Sequence, residues 1–111
     1  MVAAAGRAHT QLDILLVEPN PGDTRLFTES FDEAKLANRV HVVTDGETAL
    51  EFVHGRGDFV DAPCPDLILL EARLPRMSAE EVLSALRSAD GCRDVPVAVL
   101  TSSDTGSQIL E

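Results

Sequence analysis

The chain has 111 residues, enough for one domain, and its 44% hydrophobic and 25% charged residues exclude an intrinsically disordered protein. Its 19 acidic and nine basic residues give a formal net charge of −10, which is typical of the acidic surface of salt-adapted, halophile-like proteins. Such a chain repels nucleic-acid phosphates and anionic membrane surfaces, so we expect no nucleic acid and no membrane among its partners.

The first residues, 1–11, are small and polar, and we expect a flexible segment there, followed by one domain over 12–111. No apolar run is long enough for a signal peptide or a membrane span, since runs such as Ile14–Val17 and Leu67–Leu70 contain only four residues. A cytoplasmic protein is therefore expected. Cys64 and Cys92 belong to no CxxC pair, which predicts free thiols; a zinc site with His41 or His54 is the weaker alternative.

Strand and helix patterns alternate along the first half of the domain. Leu12–Val17 is an apolar run that predicts a strand, and the turn-rich residues 18–22 end it. Asp23 is a candidate cap for a helix, in which apolar residues recur at helical spacing. These apolar residues are Phe27, Phe31 and Ala34. Val40–Val43 predicts a second strand, and Ala49–Val53 a second, shorter helix.

The second half continues the alternation. Asp66–Leu70 is an almost continuous apolar run, as expected of a central parallel strand that is covered on both faces. Ser78 and Glu81 have the spacing of a capping box at the start of a third helix. Val95–Leu100 predicts a fourth strand, and residues 101–104 are typical of the cap of a fourth helix.

This βαβαβαβ order predicts an α/β fold, a doubly wound parallel sheet with helices on both faces. Sites in such sheets lie beyond the carboxyl ends of the strands. Glu18, Glu71 and Thr101 follow strands one, three and four, so we expect two carboxylates and a hydroxyl to meet there.

Four segments carry a resemblance to a known family. They are Ile14–Asp23, Thr44–Leu50, Pro65–Met77 and Val95–Thr101. In these segments the chain resembles a response-regulator receiver domain, and is most similar to the short single-domain receivers that accompany phytochrome-type sensor kinases. The resemblance implies a flavodoxin-like fold with strand order 2-1-3-4 and a role in a two-component phosphorelay. Only ten residues follow Thr101, too few for a further helix and strand, so the fifth strand and last helix of the family are expected to be missing here.

In that family a kinase histidine passes a phosphoryl group to an aspartate after strand three, and an acidic pair after strand one helps to hold Mg²⁺. Carried over by position, the phospho-acceptor is Glu71, the acidic pair is Glu18 with Pro19, and the switch hydroxyl is Thr101. The degenerate metal site would comprise Glu18, Glu71 and the backbone of Arg73. Because Pro19 has no side-chain oxygen, we expect weak or absent Mg²⁺ binding and no other cofactor.

The resulting hypothesis is a pseudo-receiver, not an enzyme, that binds a sensor histidine kinase or an output protein independently of phosphorylation. The alternatives are a working phospho-acceptor and, with less support, a flavodoxin-type ligand-binding domain. Glu71 either imitates the phosphorylated state by bonding Thr101 or is a solvated, drifted position. Arg73 and Arg76 could pair with Glu18 or Glu71. An exposed edge on strand four predicts a possible homodimer.

Overall fold

The computed structural model describes residues 12–34, 38–88, 92, 94–103 and 106–110, and the expected flexible segment 1–11 lies outside this part of the chain. The described residues form five strands, three α-helices and one short 3₁₀ helix. In chain order these are β1 (Leu12–Val17), α1 (Pro21–Ala34), β2 (Asn38–Val43), α2 (Gly46–His54), the 3₁₀ helix (Gly57–Phe59), β3 (Leu67–Glu71), α3 (Ala79–Arg87), β4 (Val97–Ser103) and β5 (Gly106–Leu110). None of the described helices has the length and apolar character needed to cross a membrane.

The strands form one sheet in the order β2-β1-β3-β4-β5. The first four are parallel, which confirms the predicted doubly wound sheet and its 2-1-3-4 order. Val17 of β1 pairs with Leu70 of β3, and Glu71 pairs with Leu100 of β4. This register places residues 18 and 71 side by side at the carboxyl edge of the sheet.

The carboxyl-terminal part differs from the prediction. The backbone of residues 101–103 continues β4, so the expected helix cap at 101–104 is wrong for the described residues. β5 then pairs antiparallel with β4, from Val99↔Leu110 to Ser103↔Gly106. Two residues separate the strands in sequence, a length that joins antiparallel strands and is too short for a parallel crossover. β5 covers the β4 edge that was expected to be exposed, so the homodimer through that edge loses its basis.

Helix ends are fixed by side chains close in sequence. The amide of Asp23 donates to Oδ1 of Asn20 (3.1 Å), so Asn20 caps α1, while Pro21 occupies a first-turn position that needs no amide donor. The predicted capping box of α3 is confirmed, because Ser78 and Glu81 exchange side-chain to backbone hydrogen bonds. Both devices start a helix immediately after a strand or loop that bears site residues.

The sheet buries apolar side chains on both faces. One face of β1 and β3 packs against α2 and α3, and the other packs against α1. The first layer includes Leu15, Val17, Ile68 and Leu70, and the second includes Ile14, Leu16, Leu69 and Leu100. Burial on both faces explains why the two central strands are nearly continuous apolar runs.

α2 and α3 approach closely at Gly46. A β-carbon at this position lies 2.5 Å from Cγ2 of Val82, which is fully buried. Gly46→Ala is therefore expected to lower the free energy of unfolding by about 1–3 kcal/mol, because the packed helices must move apart. Urea denaturation measures this change. Gly57→Ala is an exposed comparison, because a β-carbon there meets nothing within 4 Å; Gly57 has a positive φ, so this variant reports backbone strain without a packing clash. Restored stability in Gly46→Ala with Val82→Ala tests the assigned contact; an unchanged Gly46→Ala variant contradicts it.

The cysteines differ from the expectation of free thiols. Cys64 and Cys92 form a disulfide with a Cα–Cα distance of 5.9 Å, within the usual range for such bonds. The bond joins the loop before β3 to the turn before β4, at the amino edge of the sheet.

The amino edge also holds a charged network around Asp13, which is buried within β1. Asp13 accepts hydrogen bonds from Arg39 Nη2 (3.1 Å) and contacts His41 Nε2 at 2.9 Å. The hydrogen bond with His41, together with Arg39, holds the Asp13 pKa below its ordinary value despite burial. The Asp13 amide in turn donates to Asp66 Oδ2 (2.8 Å), so the network fastens β2, β1 and the start of β3 together.

Candidate functional site

Two carboxyl groups lie together at the carboxyl edge of the sheet. Glu18 follows β1 and Glu71 ends β3, and only 3% and 5% of their surfaces are exposed. Oε2 of Glu18 accepts the amide of Asn20 (3.1 Å), and Oε2 of Glu71 accepts the amide of Arg73 (3.2 Å). Each carboxyl therefore accepts a hydrogen bond from the backbone amide two residues later in the chain.

Burial raises the pKa of Glu18 above its ordinary value. The neighbouring charge of Glu71 and a hydrogen bond between the two side chains act in the same direction, while the amide of Asn20 opposes them. Among the described residues, no ion pair joins a cation to either carboxyl. The pair is thus a buried acidic site in which the pKa of Glu18 lies above that of an exposed glutamate.

A cavity of about 220 Å³ opens beside this pair, against α1. Its lining combines acidic and apolar groups: Glu18, Asp23, Leu26, Phe27, Ser30, Glu71 and Leu100. The sequence interpretation treated Asp23 only as a helix cap and assigned no site role to the rest of α1. Positions 23, 26, 27 and 30 share one helix face by their spacing, and this was the signal that could have placed them at the site.

The two arginines near the site do not pair with Glu18 or Glu71. Arg76 binds Asp45 (Nη2–Oδ2, 3.3 Å) and Glu47 (Nε–Oε1, 3.1 Å), which ties the loop after β3 to the start of α2. Arg76 adopts a left-handed backbone (φ 66°), a conformation uncommon outside glycine. Arg73 is exposed and takes part through its backbone amide. Thr101 has its backbone in β4, and its side chain lies outside the described part.

The donor set fits a divalent cation poorly. Pro19 offers no side-chain oxygen where a second ligand after β1 is needed, and one oxygen of each glutamate is occupied by a backbone amide. Within the described residues no group of three or more His, Cys, Asp or Glu side chains is arranged to hold a metal ion. Mg²⁺ requires near-octahedral oxygen ligation, which these side chains supply only in part.

The Glu18 environment predicts a specific pH dependence of stability. A carboxyl whose pKa is raised on folding destabilises the native state while it is ionised. This loss of stability is recovered as the pH falls from above the raised pKa toward the ordinary value of 4.5, because the native carboxyl becomes protonated. Glu18→Gln should therefore raise the free energy of unfolding above that of wild type at neutral pH, and by a smaller amount at pH 4.5. Urea denaturation across this range measures the difference, with the exposed Glu51→Gln as the matched control. Parallel pH profiles for wild type and Glu18→Gln would contradict the assignment.

Comparison with known proteins gives the family. No protein-family model matches the chain. The response regulator Rcp1 of Synechocystis sp. is 32% identical over 97 residues, which cover 87% of this chain and 66% of the relative. The crystal structure of the phosphorylated cyanobacterial phytochrome response regulator RcpA matches with a TM-score of 0.79 and 35% identity, covering 86% of this chain and 68% of that one.

The Mn²⁺-bound form of Rcp1 matches with a TM-score of 0.77 and 33% identity, covering 84% of this chain and 67% of that one. The chain thus spans about two thirds of the length of these relatives. The chain belongs to the response-regulator receiver domains, the signalling modules of two-component systems.

Proposed function

We propose that this receiver domain is a pseudo-receiver, which acts by protein–protein interaction that does not depend on phosphorylation. The observation that carries the proposal is Glu71, a buried glutamate at the end of β3. It stands at the phospho-acceptor position implied by the resemblance. Its carboxyl accepts a hydrogen bond from the amide of Arg73 and lies close enough to Glu18 to raise the pKa of that neighbour.

Two physical arguments favour a site that does not accept phosphate. Glutamate is longer than aspartate by one methylene, about 1.5 Å, and a displacement of that size is large for in-line attack. Phosphoryl transfer also needs its spread negative charge neutralised by a metal or other cations. Here Glu18 and Glu71 are acidic, and Pro19 offers no side-chain oxygen that could bind a metal ion. Weak or absent Mg²⁺ binding is part of the proposal.

A working phospho-acceptor is the second candidate, because one similar solved structure is of a phosphorylated regulator and another contains Mn²⁺. In that case Glu71 or a nearby residue would take the phosphoryl group. The flavodoxin-type alternative has no corresponding support from the comparisons. In either remaining case the partner is a sensor histidine kinase or an output protein of a two-component system.

The two candidates are separated by incubating the protein with acetyl phosphate and Mg²⁺ and measuring its intact mass. We expect wild type to show no phosphoryl adduct. A stoichiometric adduct that is lost in Glu71→Gln would overturn the pseudo-receiver proposal. Asp23→Asn is the matched control, because Asp23 lines the same cavity but does not stand at the end of β3.

A further inference from the structure

The disulfide lies outside the acidic site and has two unlike ends. Cys64 is exposed in the loop before β3, whereas Cys92 is buried, with 6% of its surface exposed, and packs into the core. These are the two cysteines of the whole chain. We propose that Cys64 is a modification site at which low-molecular-weight thiols exchange with the protein, and that Cys92 is its resolving partner.

Distance and exposure together support this assignment. A Cα–Cα distance of 5.9 Å allows the bond to form and break with little backbone movement. Thiol–disulfide exchange requires access of the attacking thiolate to one sulfur, and Cys64 is the exposed residue of the pair. Cys92 lies among apolar side chains, where an incoming solvent thiol is excluded. Attack is therefore directed to Cys64.

The exchange balances as follows. The thiolate of a small thiol attacks Sγ of Cys64, and a new S–S bond forms as the Cys64–Cys92 bond breaks. The bonding electron pair leaves on the sulfur of Cys92, which takes a proton from water. In the reverse direction, Cys92 as thiolate attacks Sγ of Cys64 and expels the small thiol. Net oxidation of the reduced pair consumes one low-molecular-weight disulfide and releases two small thiols.

The bond controls how the α3–β4 connection is fastened to the sheet. The carbonyl of Cys92 accepts the amide of Val95 (3.3 Å), and the carbonyl of Val95 accepts Nη1 of Arg87 at the end of α3 (2.9 Å). The disulfide links this chain of contacts to the loop before β3. Exchange at Cys64 therefore removes the covalent link between this connection and the loop before β3, at the edge opposite Glu18 and Glu71, while the hydrogen bonds that pair β4 with β3 remain.

The test uses reduced full-length protein incubated with oxidised glutathione, followed by intact mass measurement. Wild type is expected to lose two hydrogens and retain no glutathione, because Cys92 resolves the adduct. Cys92→Ser is expected to retain one glutathione per chain, on Cys64, and Cys64→Ser none while it remains folded. Equal adduct formation on the two variants, or a wild type that stays fully reduced, overturns the proposal.

A second measurement does not depend on the folding of either variant. Reduced wild type is treated briefly with iodoacetamide, and its peptides are mapped. Cys64 is expected to be alkylated at least about tenfold faster than Cys92, because burial protects the second thiol. Equal rates of alkylation contradict the assigned roles of the two cysteines.

Discussion

Replacing Pro19 and Glu71 together by aspartate is expected to create a Mg²⁺ site and to permit phosphoryl uptake from acetyl phosphate. Pro19→Asp supplies the missing side-chain oxygen after β1, and Glu71→Asp withdraws the carboxylate at the end of β3 by about 1.5 Å. The register that pairs Val17 with Leu70 keeps the two positions adjacent, so both changes act on one pocket. Calorimetric titration at millimolar Mg²⁺ should give saturable binding in the double variant and little or none in wild type.

The single variants are the controls for this experiment. Pro19→Asp retains the longer Glu71, and Glu71→Asp retains the proline, so each is expected to bind Mg²⁺ more weakly than the double variant. Intact mass after acetyl phosphate treatment should show the same ranking. If the double variant is folded and still binds no Mg²⁺, the ligand set of the pocket is not the main defect, which contradicts the effects assigned to Pro19 and Glu71.

Removal of the disulfide is expected to lower the free energy of unfolding by about 3 kcal/mol, because the bond closes a long loop in the unfolded chain. The cysteines are separated by 28 positions in sequence. Cys64→Ser is the informative variant, since it breaks the bond at its exposed end and leaves Cys92 packed in the core. For a domain of this size the melting temperature should fall by roughly 10–20 °C.

Reduced wild type is the matched comparison for Cys64→Ser. Both lack the cross-link, so their urea denaturation curves should coincide under reducing conditions, and only oxidised wild type should be more stable. Equal stability of oxidised wild type and Cys64→Ser contradicts the expected contribution of the bond. A Cys64→Ser variant that is less stable than reduced wild type assigns part of the loss to the side chain itself.

Local patterns in the sequence predicted much of the fold. The apolar runs of β1 and β3, the Ser78–Glu81 capping box and the alternation of elements each follow from side-chain chemistry within a few residues. The order of the parallel strands followed from the family resemblance. Glu18 and Glu71 could be placed together because each lies at the carboxyl end of a recognisable central strand.

Features that depend on distant residues were missed. β5 is short and mixes small, polar and apolar residues, so its sequence gives little signal for a strand, and its place in the sheet is given by antiparallel pairing with β4. The serine-rich segment after Leu100 suggests a helix cap equally well. The spacing of Cys64 and Cys92 gives no information on pairing, because contact arises only when β3 and β4 lie side by side. The spacing of the α1 residues marks one helix face, but which part of the sheet that face covers depends on the packing of the helix.

Ionic strength acts unequally on the two edges of the sheet. The Arg76–Glu47 pair is exposed on both sides, by 62% and 65%, so counterions reach it, and in about 1 M salt the Debye length falls to about 3 Å, similar to the separation of the pair. Asp13 is buried between Arg39 and His41, where counterions have little access. Concentrated salt therefore loosens the loop next to the acidic pair while the opposite edge stays fastened, and a salt-rich cell would make this loop the adjustable part of the molecule.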